Sequence, residues 1–146
     1  MPLNPASLQS ALESLFAAPP PTRPACAQAW ADAVNDYAAG LVPASTTVAA
    51  GIPTLSSALA AAFGSPSAAP AFDAAFAAFA VTVAAGMLPT FAGVPPAAPL
   101  NVDSLLGIVR PTHAAGAAAF ASLIDAWFRT GTATLVAPPN TLVPWS

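Results

Sequence analysis

Pro70–Pro89 reads PAFDAAFAAFAVTVAAGMLP. A proline opens it, Phe72, Phe76 and Phe79 follow at spacings of four and three, and Gly86 and Pro89 close it. Spacings of four and three stack side chains on one side of a helix, so the three rings share a face. Proline is tolerated in a first helical turn, and a glycine followed by a proline stops a helix. The stretch therefore predicts a buried helix whose bulk is aromatic and whose remaining surface is alanine.

The same punctuation recurs upstream. Pro24, Gly40 and Pro43 match Pro70, Gly86 and Pro89, and Trp30 falls where Phe76 falls. Before that, Leu8, Leu12, Phe16 and Pro19 match Leu55, Leu59, Phe63 and Pro66 at an offset of 47. Alanine matches mean little in this composition, but matches of Leu, Phe, Pro and Gly carry weight. The repeated unit is a helical hairpin: helix, proline-rich turn, helix, glycine stop, proline.

Within the first unit Asn4-Pro5 is a helix start, with Asn4 as cap and Pro5 at the first helical position. Leu8, Leu12, Leu15 and Phe16 then form one stripe. Four prolines in Ala18–Pro24 end this helix, and a second carries Cys26, Trp30, Val34 and Tyr37 on one face. Gly40 is expected in the left-handed conformation that ends it. Residues Leu41–Pro53 read as a connection, after which Thr54 caps the third helix.

A weaker third copy is expected over 101–131. Asn101 or Asp103 caps a helix running through Leu105, Leu106, Ile108 and Val109 to Arg110-Pro111. Thr112 then caps a helix to Thr130 with Phe120, Leu123, Ile124 and Trp127 inward and Gly131 as its stop. The segments Phe91–Leu100 and Thr132–Ser146 are proline-rich and apolar, hence extended straps lying on the bundle or reaching to a neighbour. Thr132–Val136, alternating and β-branched, is the best strand candidate. The expected fold class is all-α: one domain over 1–146, a helical bundle of two or three hairpin repeats (4–43, 54–89 and the weaker 101–131) with a C-terminal strap, 132–146.

Hydrophobic residues make up 56% of the 146 positions and charged residues 6%. Ordinary soluble domains carry roughly 25% charged residues. A folded monomer of this mass exposes about 7,000 Å². Three arginines (Arg23, Arg110, Arg129) and six carboxylates leave most of that surface uncharged. Mixed charge is what keeps surfaces apart, so much of this one is expected to be covered by copies of the chain or by other proteins. Phe91, Leu142 and Trp145, the large apolar residues of the straps, are the candidate assembly contacts.

The same composition argues against several activities. A net charge of −3 with no lysine gives nucleic acid no basic patch. Cys26 is the single cysteine, so no disulfide forms within the chain. Prolines interrupt the two long uncharged spans, and Ala74–Leu88 is shorter than the roughly 20 residues a membrane crossing needs. The N-terminal MPLNPASLQSALESLF has no basic region and holds Glu13, unlike a secretory signal. His113, the only histidine, pairs on paper with Ser104 or Ser122 and Asp103 or Asp125, but no elbow glycines surround either serine. It reads as a helix-start histidine. One His and one Cys with dispersed carboxylates give no metal-ligand spacing, and no glycine loop cradles a phosphate. No enzyme, cofactor or metal is expected. Asp32 and Asp36 mark a solvated face, and Asp125 with Arg129 a surface pair.

The Ala/Pro-rich helices and the terminal GTATLVAPPNTLVPWS, Gly131–Ser146, resemble the small structural proteins of phage tails, necks and contractile injection particles. That resemblance implies a non-enzymatic structural subunit of a virion or phage-like particle, assembled in the host cytoplasm among copies of itself or other particle subunits. In composition the chain is also similar to mycobacterial Ala-rich secreted helical proteins, whose Pro-Glu or Pro-Pro-Glu opening it lacks. The alternative is a secreted or surface-associated binding module with an aromatic-lined groove for a peptide or apolar ligand.

Overall fold

A computed structural model describes residues 2–146. Five long helices form a bundle: α1 (Pro5–Ala17), α2 (Arg23–Ala38), α3 (Val48–Phe63), α4 (Ala68–Ala85) and, after the single turn α5 (Asp103–Leu106), α6 (His113–Phe128). Three short strands, β1 (Phe91–Val94), β2 (Thr132–Leu135) and β3 (Leu142–Pro144), make an antiparallel sheet in the order β1-β2-β3. The chain is thus mostly helical but not all-α.

Two of the expected caps, Asn4 and Thr112, hold, and Thr22 adds a third; neither Asn101 nor Asp103 caps α5, whose N-cap is Val102 with no side-chain bond. Asn4 Oδ1 accepts the Ala6 N–H at 3.1 Å, and Thr22 and Thr112 hydroxyls accept from Ala25 and Ala115 at 3.3 and 3.0 Å. Each satisfies one of the donors that a helix start leaves without a partner. α1 and α3 run one way; α2, α4 and α6 run the other. Phe16 meets Phe120 at one end of α1, while Arg129 donates to the Leu3 carbonyl at the other, so α1 and α6 are antiparallel. One end of the bundle holds the α1–α2 and α3–α4 turns and α5. The sheet closes the other end.

The core is one cluster in which α2, α4 and α6 supply the rings. Leu8, Leu12, Leu55 and Leu59, each fully buried, fill in from α1 and α3. The accessible surface is 7133 Å², close to that expected from mass.

Four expectations are corrected. First, α3 starts at Val48, not at Thr54, and carries Pro53 inside it. An interior proline removes one helical hydrogen bond. The early start is held by Ser45-Thr46-Thr47, whose hydroxyls donate to the carbonyls of Val83, Gly86 and Thr82 at the end of α4. The expected connection is thus also the cap of a neighbouring helix. Second, no glycine has positive φ, Gly40 included, so the glycine stops do not work through left-handed backbone. At Gly86 and Gly131 what matters is size: a Cβ would collide with the Thr47 and Ser45 hydroxyl oxygens at the first and with the Trp145 ring at the second. The positive-φ positions are Asn101 and Asn140. Third, α5 is one turn, and Ile108 and Val109 lie outside it, 58% and 94% exposed. The third hairpin therefore lacks its first helix, and α6 packs on α1 instead. Fourth, the straps pair. Phe91–Val94 and the chain after Gly131 form the sheet, with β2 on the expected Thr132–Val136 segment. The signal for the β2–β3 hairpin was Pro138-Pro139-Asn140 between two β-branched runs. Asn140 Nδ2 donates to the Leu135 and Val136 carbonyls across that turn.

Candidate functional site

Two places on the molecule expose chemistry that packing alone does not use, one at each end. At the turn end, Trp30 sits edge-on to Phe72 and to Phe120 with centroids 5.4 Å apart in both cases, and Phe16 lies 5.9 Å from Trp30. Edge-to-face rings at these distances attract beyond their buried area. They hold each other apart over a cavity of about 150 Å³, whose aromatic walls are Trp30, Phe63, Phe72 and Phe120. Ala68 and Ala69 of α4 are too short to fill it, and Val102 and Leu106 border it from the segment around α5.

That segment is tied down by polar contacts. Asp73 Oδ1 accepts the Val102 N–H at 3.0 Å, and Arg110 Nη1 donates to the Leu105 and Ile108 carbonyls at 3.1 Å. The preceding proline strap is anchored by Trp127, whose Nε1–H donates to the Ala98 carbonyl at 2.7 Å. A second, more open depression of about 390 Å³ lies on the far side of Trp30 and Phe63, lined by Pro20, Pro21, Arg23 and Cys26.

At the sheet end, pairing fixes which side chains share a face. Val94, Thr132 and Pro144 lie opposite one another, as do Ala92, Thr134 and Leu142. This set, with Val136 two residues beyond Thr134, faces outward: Val94 is 53% exposed, Val136 49% and Leu142 63%. The alternate set, Gly93, Ala133 and Val143, faces the bundle, with Ala133 fully buried. No charged residue occurs in any strand.

The sheet edges are partly covered. Leu135 N–H donates to the Thr141 carbonyl and Trp145 N–H to the Gly131 carbonyl, so the odd residues of β3 bond to β2 and the even ones point away. Of these, Pro144 has no N–H, and Ser146 exchanges two backbone bonds with Val42. β1 lies against the end of α4, where a Cβ on Gly93 would strike the Ala84 backbone. Proline and coverage are the usual protections of an edge. Leu142 alone on the open side of β3 leaves both its backbone N–H and C=O unpaired, so a neighbour meets mainly the side chains of the outer face and a short piece of edge.

The three candidate contacts separate. Leu142 is on the outer face. Phe91 is half-buried and packs on the core. Trp145 is 1% exposed, 5.7 Å from the Phe128 ring, and its Nε1–H donates to the Thr132 carbonyl at 3.0 Å. It anchors the strap on its own bundle, so its surface is already covered. Val94 and Val136, which the sequence reading did not single out, take its place; their signal was the alternation along each strand.

The polar residues form no catalytic arrangement on the contacts present. His113 is exposed at the first position of α6, as read, and Ser104 and Ser122 are exposed. Among the described residues no three His, Cys, Asp or Glu side chains group as metal ligands would. Asp32 and Asp36 are exposed, and Asp32 accepts from Gln28 at 2.7 Å. The Asp125–Arg129 pair is more than a surface pair. Asp125 Oδ2 accepts from Arg129 Nε at 2.8 Å, while its Oδ1 accepts the Tyr37 hydroxyl at 2.8 Å. Burial, then the bond to Asp125, pushes the Tyr37 hydroxyl well above the usual tyrosine range. Burial likewise pushes the Cys26 thiol up, which favours its protonated form.

Comparison of the chain with protein-family models, curated proteins and solved structures returns no match.

Proposed function

We propose that the protein is a non-enzymatic structural subunit of a larger protein assembly, a component of a phage virion or phage-tail-like particle put together in the host cytoplasm. The observation that carries the assembly reading is the outer sheet face, where Val94, Val136 and Leu142 stand exposed among threonine, alanine and proline with no charge in the strands. Exposed apolar faces without interspersed charge associate. The particle context comes from the resemblance of the Ala/Pro-rich helices and of Gly131–Ser146.

The partners in this reading are other copies of the chain and other particle subunits. Nucleic acid is not among them, because Arg129 is paired, Arg110 is spent on backbone carbonyls and no lysine exists to join Arg23. Nor is a membrane span. α4, at 18 residues with a mean hydropathy of 1.6, is long and apolar enough to cross a membrane, but Phe72, Phe76, Phe79 and Val83 are buried against the other helices. We also read α1–α2 and α3–α4 as two copies of one hairpin. The matched pairs Leu8/Leu55 and Leu12/Leu59 are all buried, and Phe16 and Phe63 are both partly buried at the same end.

Light scattering after size exclusion tests the assembly reading. The wild-type chain is expected to associate as concentration rises. Leu142→Asp combined with Val136→Asp is expected to return it to monomer with an unchanged helical signal. A wild-type chain that stays a monodisperse monomer at high concentration overturns the reading.

A further inference from the structure

We infer that the cavity at the turn end is a binding site for a small, uncharged, single-ring aromatic molecule. It lies at the opposite end from the sheet, so this inference stands or falls separately from the assembly role.

Size sets the first limit. A volume of about 150 Å³ accepts one benzene-sized ring with a small substituent; apolar cavities on this scale stay dry and take such guests. A fused or longer molecule would have to leave part of itself outside, past Leu106, where it gains no ring contacts. Wall chemistry sets the second. Four aromatic side chains border the space, and three of them already touch one another, Trp30 edge-to-face with Phe72 and Phe120 and those two tilted against each other. A guest ring adds to that set in the same tilted geometry, which a branched alkyl chain of equal volume does not match.

Charge sets the third limit. Every lining side chain is apolar. The nearby ionic groups are committed: Asp73 to the Val102 N–H and Arg110 to two carbonyls. A carboxylate or ammonium entering the cavity would lose its water and find no partner, a cost that apolar contact does not offset.

The structure also shows a way in. Leu106 borders the cavity yet is 59% exposed, on a single-turn helix followed by Gly107, where an added Cβ would meet nothing within 4 Å. Ile108 and Val109, exposed just beyond it in the chain, keep this segment apolar. Leu106 is thus the side chain a guest passes, and the one a substitution reaches without disturbing the core.

Methyl-resolved carbon–proton spectra during titration with toluene test the inference on the full chain. Saturable shifts centred on the Ala68, Ala69, Val102 and Leu106 methyls are expected below the solubility limit of toluene. Benzoate and benzylammonium are expected to produce none of them. Ala69→Leu fills the cavity and should weaken toluene binding at least tenfold. Leu106→Trp, at a half-exposed position that leaves folding intact, should weaken it several-fold even where Ala69→Leu folds poorly. Shifts that never saturate or that scatter over the surface overturn the inference. So does toluene binding of wild-type strength in Leu106→Trp and in any folded Ala69→Leu, or equal binding of the charged analogues.

Discussion

The two ends of the bundle meet the same problem, large rings packed among small residues, and solve it differently. At the sheet end the small residues are glycines and the fit is closed. The Trp145 ring lies where a Cβ on Gly131 would be, and the Thr47 hydroxyl where one on Gly86 would be. At the turn end the small residues facing the rings are Ala68 and Ala69, and the rings brace one another over an unfilled space. Glycine lets a neighbour come to the backbone itself, whereas a helical alanine stops it one methyl short and leaves nothing longer to fill the remainder. The closed end presents its apolar residues outward, on the sheet; the open end presents them inward, around a cavity.

Removing the wedge at the closed end should have the largest effect. Trp145→Ala deletes the ring between Phe128 and Gly131 and its bond to the Thr132 carbonyl. A loss of about 3–5 kcal/mol is expected, the range for a buried aromatic truncated to alanine. Urea unfolding checks it, and a loss under about 1 kcal/mol would show that the C-terminal hairpin is an accessory rather than the floor of the bundle.

Next comes the converse change, Gly131→Ala, which adds one methyl where the indole lies. Overpacking of this kind costs about 1–3 kcal/mol. A neutral result in the same unfolding experiment would mean that the ring has room to slide, and that the closed end is less closed than Gly131 implies.

The helices, their caps and the aromatic faces were legible because each rests on residues close in sequence: Asn4 before Pro5, Thr112 before His113, Phe72 with Phe76 and Phe79. What was not legible depends on chain-distant partners. The start of α3 is set by hydroxyls of Ser45, Thr46 and Thr47 reaching the end of α4. The inward turn of Trp145 depends on Gly131 and on β2, and the sheet depends on pairing Phe91–Val94 with a segment some forty residues later. Periodicity reports which face is apolar but not whether that face is filled, so the aromatic stripe is compatible with a packed core and with an aromatic-lined groove, and only the packing places the space between the rings.

A smaller effect is expected at the sheet end itself, where the last turn of α2 is bonded to the last turn of α6. Tyr37, near the end of α2, links to Arg129 on α6 through Asp125. Its hydroxyl holds its proton more tightly in the folded chain than in the unfolded one. The unfolded state therefore releases that proton first, and the stability this contributes is intact below about pH 10 and is lost as pH rises above it. Tyr37→Phe should cost about 1–3 kcal/mol at neutral pH, as for a hydrogen bond to a charged group. It should also flatten the alkaline fall of stability, read as Tm against pH. An alkaline limb of unchanged slope would show that Tyr37 does not keep its hydroxyl bonded to Asp125.

The smallest expected effect is the one that most directly sets the two ends apart. Ala69→Leu places added bulk in the turn-end cavity, where the wall rings leave room and no polar group is displaced. Leucine is nearly as good a helix former as alanine, so α4 itself is hardly affected. Burial of the added carbons should then raise stability by up to about 1–2 kcal/mol, discounted from the full value of the transferred methylenes by imperfect fit. Adding a single methyl at Gly131 destabilises and adding three carbons at Ala69 stabilises: that opposition of sign, in paired thermal melts, is what the packing predicts. Destabilisation at both sites would mean that the rings around Ala69 are held as rigidly as the indole over Gly131, and that the space between them is not available to any added group.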